Sequence, residues 1–192
     1  DLILLEPTPP MYSFRCAALY TREFYALAAA RLATNGLFAQ VLPLGNLTDA
    51  EARGVLRTFA AAFPDCCLWL NGLDSVMLGA NEKIQVNANE VYRRLQLPAV
   101  QEALARHSPE QYNLPGNFVA GLLLTRAEFC AVAQGGALYT DDRSALRYAT
   151  GGNATGLIDR IHATLTPWPK LQQEVFVFQP FGDRLALLAE RR

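Results

Sequence analysis

The chain has 192 residues, a formal net charge of −1, 51% hydrophobic residues and 18% charged ones. That is enough chain to bury a sizeable core and too apolar a chain for wholesale disorder, and its charge balance lacks the basic excess that nucleic-acid binding requires. The most apolar window of the second half, Phe118 to Leu124, is far shorter than the roughly 20 residues of a bilayer-crossing helix, so no membrane span is expected.

Leu2 to Leu5 is a short apolar run bounded by Asp1 and Glu6-Pro7, the pattern of a fully buried strand in a parallel sheet. Glu6 then stands at the carboxyl end of that strand, where open α/β sheets bind their ligands. Thr21 is a natural N-cap, and Phe24, Leu27, Ala28 and Leu32 form a helical stripe closed by Asn35-Gly36. Leu37 to Leu42 reads as a second buried strand. Thr48 with Glu51 makes a capping box, Val55, Leu56, Phe59 and Phe63 give the next helix its core face, and Pro64 ends it. Cys67 to Leu70 and Ser75 to Leu78 are two further strands, joined by so few residues that they must run antiparallel.

Beyond Asn81 the pattern turns helical. Val91, Leu95 and Leu97, then Val100 and Leu104, predict two helices broken at Pro98; Pro109 to Gly116 is a loop and Phe118 to Ala133 a buried helix. Thr140 with Asp141 and Asp142 has the chemistry of a helix start, so capping is preferred over metal or substrate binding. Gly156 to Leu165 is one more helix before the Pro167-Trp168-Pro169 break. The tail, Glu174 to Phe178 and Arg184 to Leu188 around Pro180 to Asp183, reads as a hairpin. The expected division is residues 1–80 as an α/β half-domain and 81–192 as a mainly helical region with that tail hairpin.

Cys16, Cys66, Cys67 and Cys130 have no C-x-x-C spacing and fit reduced, buried thiols of a cytoplasmic protein. His107 and His162 have no ligand spacing to a Cys, Asp or second His, and no metal site is expected. Asn46-Leu47-Thr48 and Asn153-Ala154-Thr155 match the glycosylation pattern by chance. The lack of an initiator methionine is what a piece of a longer protein would show.

Asp1-Leu-Ile-Leu-Leu-Glu6-Pro-Thr-Pro-Pro10, followed by Leu19-Tyr-Thr-Arg-Glu-Phe-Tyr25, resembles spermidine synthase and its relatives. There a strand ending in a pair of acids engages the amine substrate, ahead of a Leu-(Phe/Tyr)-Thr-x-Glu-Phe-Tyr helix start. The likeness continues through Leu32 to Val41 and Phe63-Pro64 to Trp69-Leu70. It returns at Thr140-Asp141-Asp142-Arg143, similar to a Thr-Asp-Asp-Arg-Pro motif of the bacterial branch that carries this domain behind membrane helices, with Ser144 in place of the proline. The resemblance implies an α/β fold, the carboxyl half of a Rossmann-like sheet of the methyltransferase and spermidine synthase type. It also implies transfer of the aminopropyl group of decarboxylated S-adenosylmethionine to a polyamine or other amine; a methyltransferase-like protein using S-adenosylmethionine is the neighbouring possibility.

Glu6 falls on the first of the family's acids and is the candidate catalytic residue; Pro9 falls on the second, so the pair is halved. Thr8, Tyr12 and Tyr20 are the candidate substrate-binding residues, with Tyr12, Phe14 and Tyr20 placed to line a slot for methylenes. Thr140, Asp141, Asp142 and Arg143 are expected to be structural. No G-x-G-x-x-G follows a strand, so no cofactor site is expected within this chain. Two readings stay open: an aminopropyltransferase-like enzyme or a piece of one, and a non-catalytic scaffold derived from that fold. The first strand, apolar and without the charges that guard natural edges, is expected to pair with a second copy, with an upstream half, or with the tail hairpin.

Overall fold

The architecture is α/β, seen in a computed structural model that describes residues 1–7, 14–71, 74–107, 122–149, 151–164 and 176–177. Strand β1 (Leu2–Leu5) is followed by a 3-10 helix (Phe14–Tyr20) and helix α1 (Arg22–Arg31), whose Thr21 cap accepts the Phe24 amide. Asn35, at φ 59°, turns the chain into β2 (Leu37–Leu42); a short polar side chain tolerates that left-handed conformation. Helix α2 (Asp49–Ala62) begins at the Thr48/Glu51 capping box, buries Ala52, Val55, Leu56 and Phe59, and gives way to β3 (Asp65–Asn71) and β4 (Asp74–Ala80).

β1 and β2 run parallel, joined by the α1 crossover, whereas β4 is antiparallel to both β2 and β3 and lies between them. With β6 (Leu122–Leu124) beside β3, the sheet order is β1-β2-β4-β3-β6. This is the strand-helix-strand-helix-strand-hairpin order of a partial Rossmann-like sheet. The register puts Phe38, Gln40 and Leu42 of β2 beside Gly79, Met77 and Ser75 of β4, and those beside Cys66 and Leu68 of β3, all on one face. Against that face packs a single core to which α1, α2, α5 (Arg126–Ala133) and α6 (Thr155–Thr164) each contribute, with Tyr25, Phe38, Phe59 and Phe63 in mutual ring contact and Phe129 against Phe59. Gly79 is required there, because a Cβ would sit 2.5 Å from Phe63 Cγ.

The chain forms two units that do not divide at residue 80: Asp1–Ile84 with Leu123–Leu165, and Gln85–Leu122 with Thr166–Arg192. The returning segment belongs with the sheet because α5 carries Phe129 and Val132 into its core. In the second unit, α3 (Ala88–Leu95), capped by Asn87, and α4 (Pro98–His107) break at Pro98 as the sequence predicts. The second unit also contains a two-stranded parallel sheet of β5 (Val86–Asn87) and β7 (Phe176–Val177).

Three local expectations need correction. Of the helix predicted over Phe118 to Ala133, residues 118–121 lie outside the described residues and the rest is a strand, β6, followed by the shorter α5; three leucines hydrogen-bonded in a sheet outweigh a helical apolar run, and Thr125 with Glu128 restarts the chain as helix. Thr140 to Asp142 cap no helix: the next helical turn is a 3-10 turn, Ala145–Tyr148, entered from Ser144. Of the first tail arm, expected to reach β1, the described residues Phe176–Val177 pair with β5, and the second arm, Arg184 to Leu188, lies outside the described residues. Among the described residues no helix is long and apolar enough to cross a membrane.

Candidate functional site

The carboxyl end of β1 delivers Glu6 to the surface, exposed and with no hydrogen-bond or ion-pair partner among the described residues. Thr8, Pro9 and Tyr12 lie outside the described residues, as does the side chain of Phe14. Tyr20 does not line an open slot. It is 0% exposed and belongs to the core, because the 3-10 helix preceding Thr21 turns it inward over β2.

On the core face, one strand position before Glu6, lies a buried polar group. Leu5 is in register with Gln40, a fully buried residue of β2 whose Nε2 donates to the Leu19 carbonyl at 3.3 Å. Among the described residues the Tyr20 and Tyr25 hydroxyls and Gln40 Oε1 are buried without a hydrogen-bond partner. Burial raises both phenol pKa values, so the two phenols stay protonated and cannot act as bases. A glutamine inside a run of apolar strand residues is the one sequence signal that marks this place.

The Thr140-Asp141-Asp142-Arg143 motif folds onto the start of α1. Thr21 Oγ1 donates to Asp141 Oδ1 at 2.7 Å, the Asp141 amide donates to Glu23 Oε2 at 3.0 Å, and the Arg22 amide donates to the Tyr139 carbonyl at 2.9 Å. Arg147 Nη2 donates to the Asp141 carbonyl at 2.5 Å, and within the motif the Arg143 amide donates to Thr140 Oγ1 at 3.2 Å. Glu23 is held below the usual carboxylate range by its own backbone amide first, with the Asp141 amide and the Arg22 side chain adding to it. Asp142 and the Arg143 side chain are exposed. The motif thus latches a strap to a helix start 120 positions earlier in the sequence; the strap itself is anchored on α2, where Tyr139 N donates to Thr58 Oγ1 at 2.9 Å and Arg57 donates to the Gly136 carbonyl at 2.5 Å.

The cysteines are free thiols, Cys66 and Cys67 buried, Cys16 half-buried and Cys130 exposed, so the last departs from the expectation of burial. Arg126 donates to Cys66 Sγ at 3.0 Å and to the Ala60 carbonyl at 3.1 Å. Burial nevertheless pushes the Cys66 thiol up to about 12, Arg126 only partly offsetting it; a thiol in that state is inert as a nucleophile. The histidine side chains lie outside the described set, and among the described residues no three His, Cys, Asp or Glu side chains converge as a metal site. The sheet-bearing unit is therefore α/β, and among its described residues Glu6 stands exposed at the carboxyl end of β1. No protein-family model and no curated protein matches the chain.

Proposed function

We propose that this chain is a non-catalytic interaction domain built on the spermidine-synthase-like half-sheet. The observation that carries the reading is the first strand. β1 pairs with β2 alone among the described residues, and its outward side chains, Leu2 and Leu4, are 62% and 67% exposed; a large apolar row on an open ladder is a surface made to be covered. The chemistry needed for aminopropyl transfer is thin by comparison. Glu6 stands without a second acid, Tyr20 is enclosed, and the sequence has no Gly-rich turn to bring a backbone close to a nucleoside. Calorimetry with decarboxylated S-adenosylmethionine and with S-adenosylmethionine tests the reading; no binding tighter than millimolar is expected, and micromolar binding to this chain would overturn it.

The second reading, aminopropyl transfer to a polyamine or another amine, is favoured by the place of Glu6, exposed at the carboxyl end of a strand in a parallel pair. In such a reaction the amine nitrogen forms a bond to the methylene beside the sulfonium, the carbon-sulfur bond breaks, and a neutral thioether leaves. Glu6 would hold the ammonium form and take its proton. The nucleoside would have to be held by another polypeptide segment.

A further inference from the structure

Between α1 and β2 the chain reverses over residues 33–36, and the turn is closed by the Gly36 amide, which donates to the Ala33 carbonyl at 2.8 Å. Asn35 holds the third position at φ 59°, a conformation that such turns reserve for glycine or asparagine. Gly36 is fixed by space. A Cβ there would lie 2.8 Å from the Ala33 carbonyl oxygen and 3.2 Å from the Ala33 nitrogen, backbone atoms that cannot step aside. Two independent demands of the fold thus put an asparagine directly before a glycine.

That pair is chemically reactive. An asparagine carboxamide lies within reach of the backbone nitrogen of the next residue, and glycine, lacking a side chain, leaves that nitrogen unshielded. Asn35 is exposed and its carboxamide has no hydrogen-bond partner among the described residues, whereas Gly36 is buried. The electrophile is free, and the nucleophile is the atom that the turn bond pins.

We propose that Asn35–Gly36 is a site of spontaneous deamidation whose rate is set by opening of the α1–β2 turn, a property that goes beyond the interaction-domain reading and does not depend on it. Gly36 N, released from Ala33, attacks Asn35 Cγ and gives up its proton. The new carbon–nitrogen bond closes a five-membered succinimide, and the Cγ–Nδ2 bond breaks as ammonia leaves. Water then opens the ring. Attack at Cγ restores the main chain with aspartate at 35; attack at the main-chain carbonyl of residue 35 leaves isoaspartate, in which the chain runs through the side chain and is longer by one methylene.

The two products act differently on the sheet. Aspartate tolerates the left-handed conformation as asparagine does, so the turn survives. Isoaspartate moves Gly36 relative to Ala33, and the next residue, Leu37, carries the amide that donates to the Asp1 carbonyl at 3.0 Å, at the start of the β1–β2 ladder. The extra methylene therefore loosens the strand pair at that end.

Peptide mapping of the full chain, aged in mildly alkaline buffer with and without concentrated urea, tests the proposal. Trypsin releases Asn35 in peptide 32–53 and the chain's other asparagine-glycine pair, at 71 and 72, in peptide 58–83, and fragmentation separates Asn35 from Asn46 within the first. Aspartate and isoaspartate are expected at position 35 in both samples, with conversion about tenfold or more slower in the folded chain, because only the opened turn reacts. Urea below the unfolding transition should speed conversion at 35 and exchange of the Gly36 amide in the same proportion, since both wait on one bond. Asn35→Gly keeps the left-handed position and removes the carboxamide, so it should abolish modification at 35 at a nearly unchanged melting temperature. Of the products purified from aged chain, the isoaspartate form should melt below the aspartate form. A folded chain that converts as fast as the unfolded one, or that shows no product at 35 once the unfolded chain is fully converted, overturns the proposal.

Discussion

Replacing Gly54 with alanine sets two opposed effects against each other at one site in α2. In a solvent-exposed helix interior the change stabilises by about 0.8–1 kcal/mol, since alanine has less backbone freedom to lose. Here the new Cβ would lie 2.5 Å from both Cζ and Oη of Tyr139 and 2.6 Å from its Cε2. That ring cannot swing out. It is 3% exposed, and its residue is fixed through its amide to Thr58, through its carbonyl to Arg22 and through its hydroxyl to the Glu51 carbonyl at 3.4 Å. Overpacking against an immobile neighbour costs about 1–3 kcal/mol, and contact with three ring atoms argues for the upper part of that range. The expected result is a net loss of about 1–2 kcal/mol, measured as a shift of the urea midpoint at constant slope. The loss should vanish, and turn to a gain of up to about 1 kcal/mol, in a Tyr139→Ala background, where the clash is gone. Stabilisation by Gly54→Ala in the otherwise unaltered chain would show that the strap is not seated on α2 as described.

Three further outcomes are expected. Arg126→Met removes a charged donor from the Ala60 carbonyl near the end of α2 and from Cys66 Sγ, and should cost about 1.5–3 kcal/mol in urea unfolding; an unchanged midpoint would make the contact incidental. Stability should fall as pH rises from about 9 to 12, monitored by thermal melts: burial raises the Cys66 thiol from 9.0 to about 12 and the Tyr139 phenol from 10.0 to about 12, so the unfolded chain ionises first and gains stability over the folded one. A flat profile across that window would contradict the burial of both groups. If aminopropyl transfer is reconstituted with a nucleoside-binding segment, Glu6→Gln should lower turnover by about 10²–10⁴-fold at an unchanged melting temperature, and full activity in that variant would remove Glu6 from the chemistry.

The first 80 residues were legible because their signals are local. The Thr21 and Thr48 caps, the Pro64 stop and the short link that forces β3 and β4 antiparallel each act within a few residues, and each stands where the sequence puts it. The insertion of β4 between β2 and β3 was not legible, since alternation within a strand does not name its neighbours. Nor was β6: Leu122 to Leu124 carry an apolar pattern too short to tell strand from helix, and β3 decides it. Around the candidate site the sequence singled out Glu6 and the Thr140-Asp141-Asp142 run, but not the partners of that run. A threonine before two acids is good capping chemistry for any helix, and only the tertiary fold directs Asp141 to Thr21 rather than to the residues that follow it.

The distance in sequence between Thr21 and Asp141 has a consequence for the order in which the molecule is assembled. During synthesis the first sheet strands and the two helices between them emerge and meet long before residue 141 exists, so α1 begins its life with its cap threonine able to reach only Ala18 and the Phe24 amide. The strap that finishes this end closes a loop of more than a hundred residues, the slowest kind of contact to form and the last in which the chain can invest. A nascent chain arrested before α5 should therefore hold β1 to β4 with a frayed first turn of α1, and completion of that turn would report that the returning segment has docked.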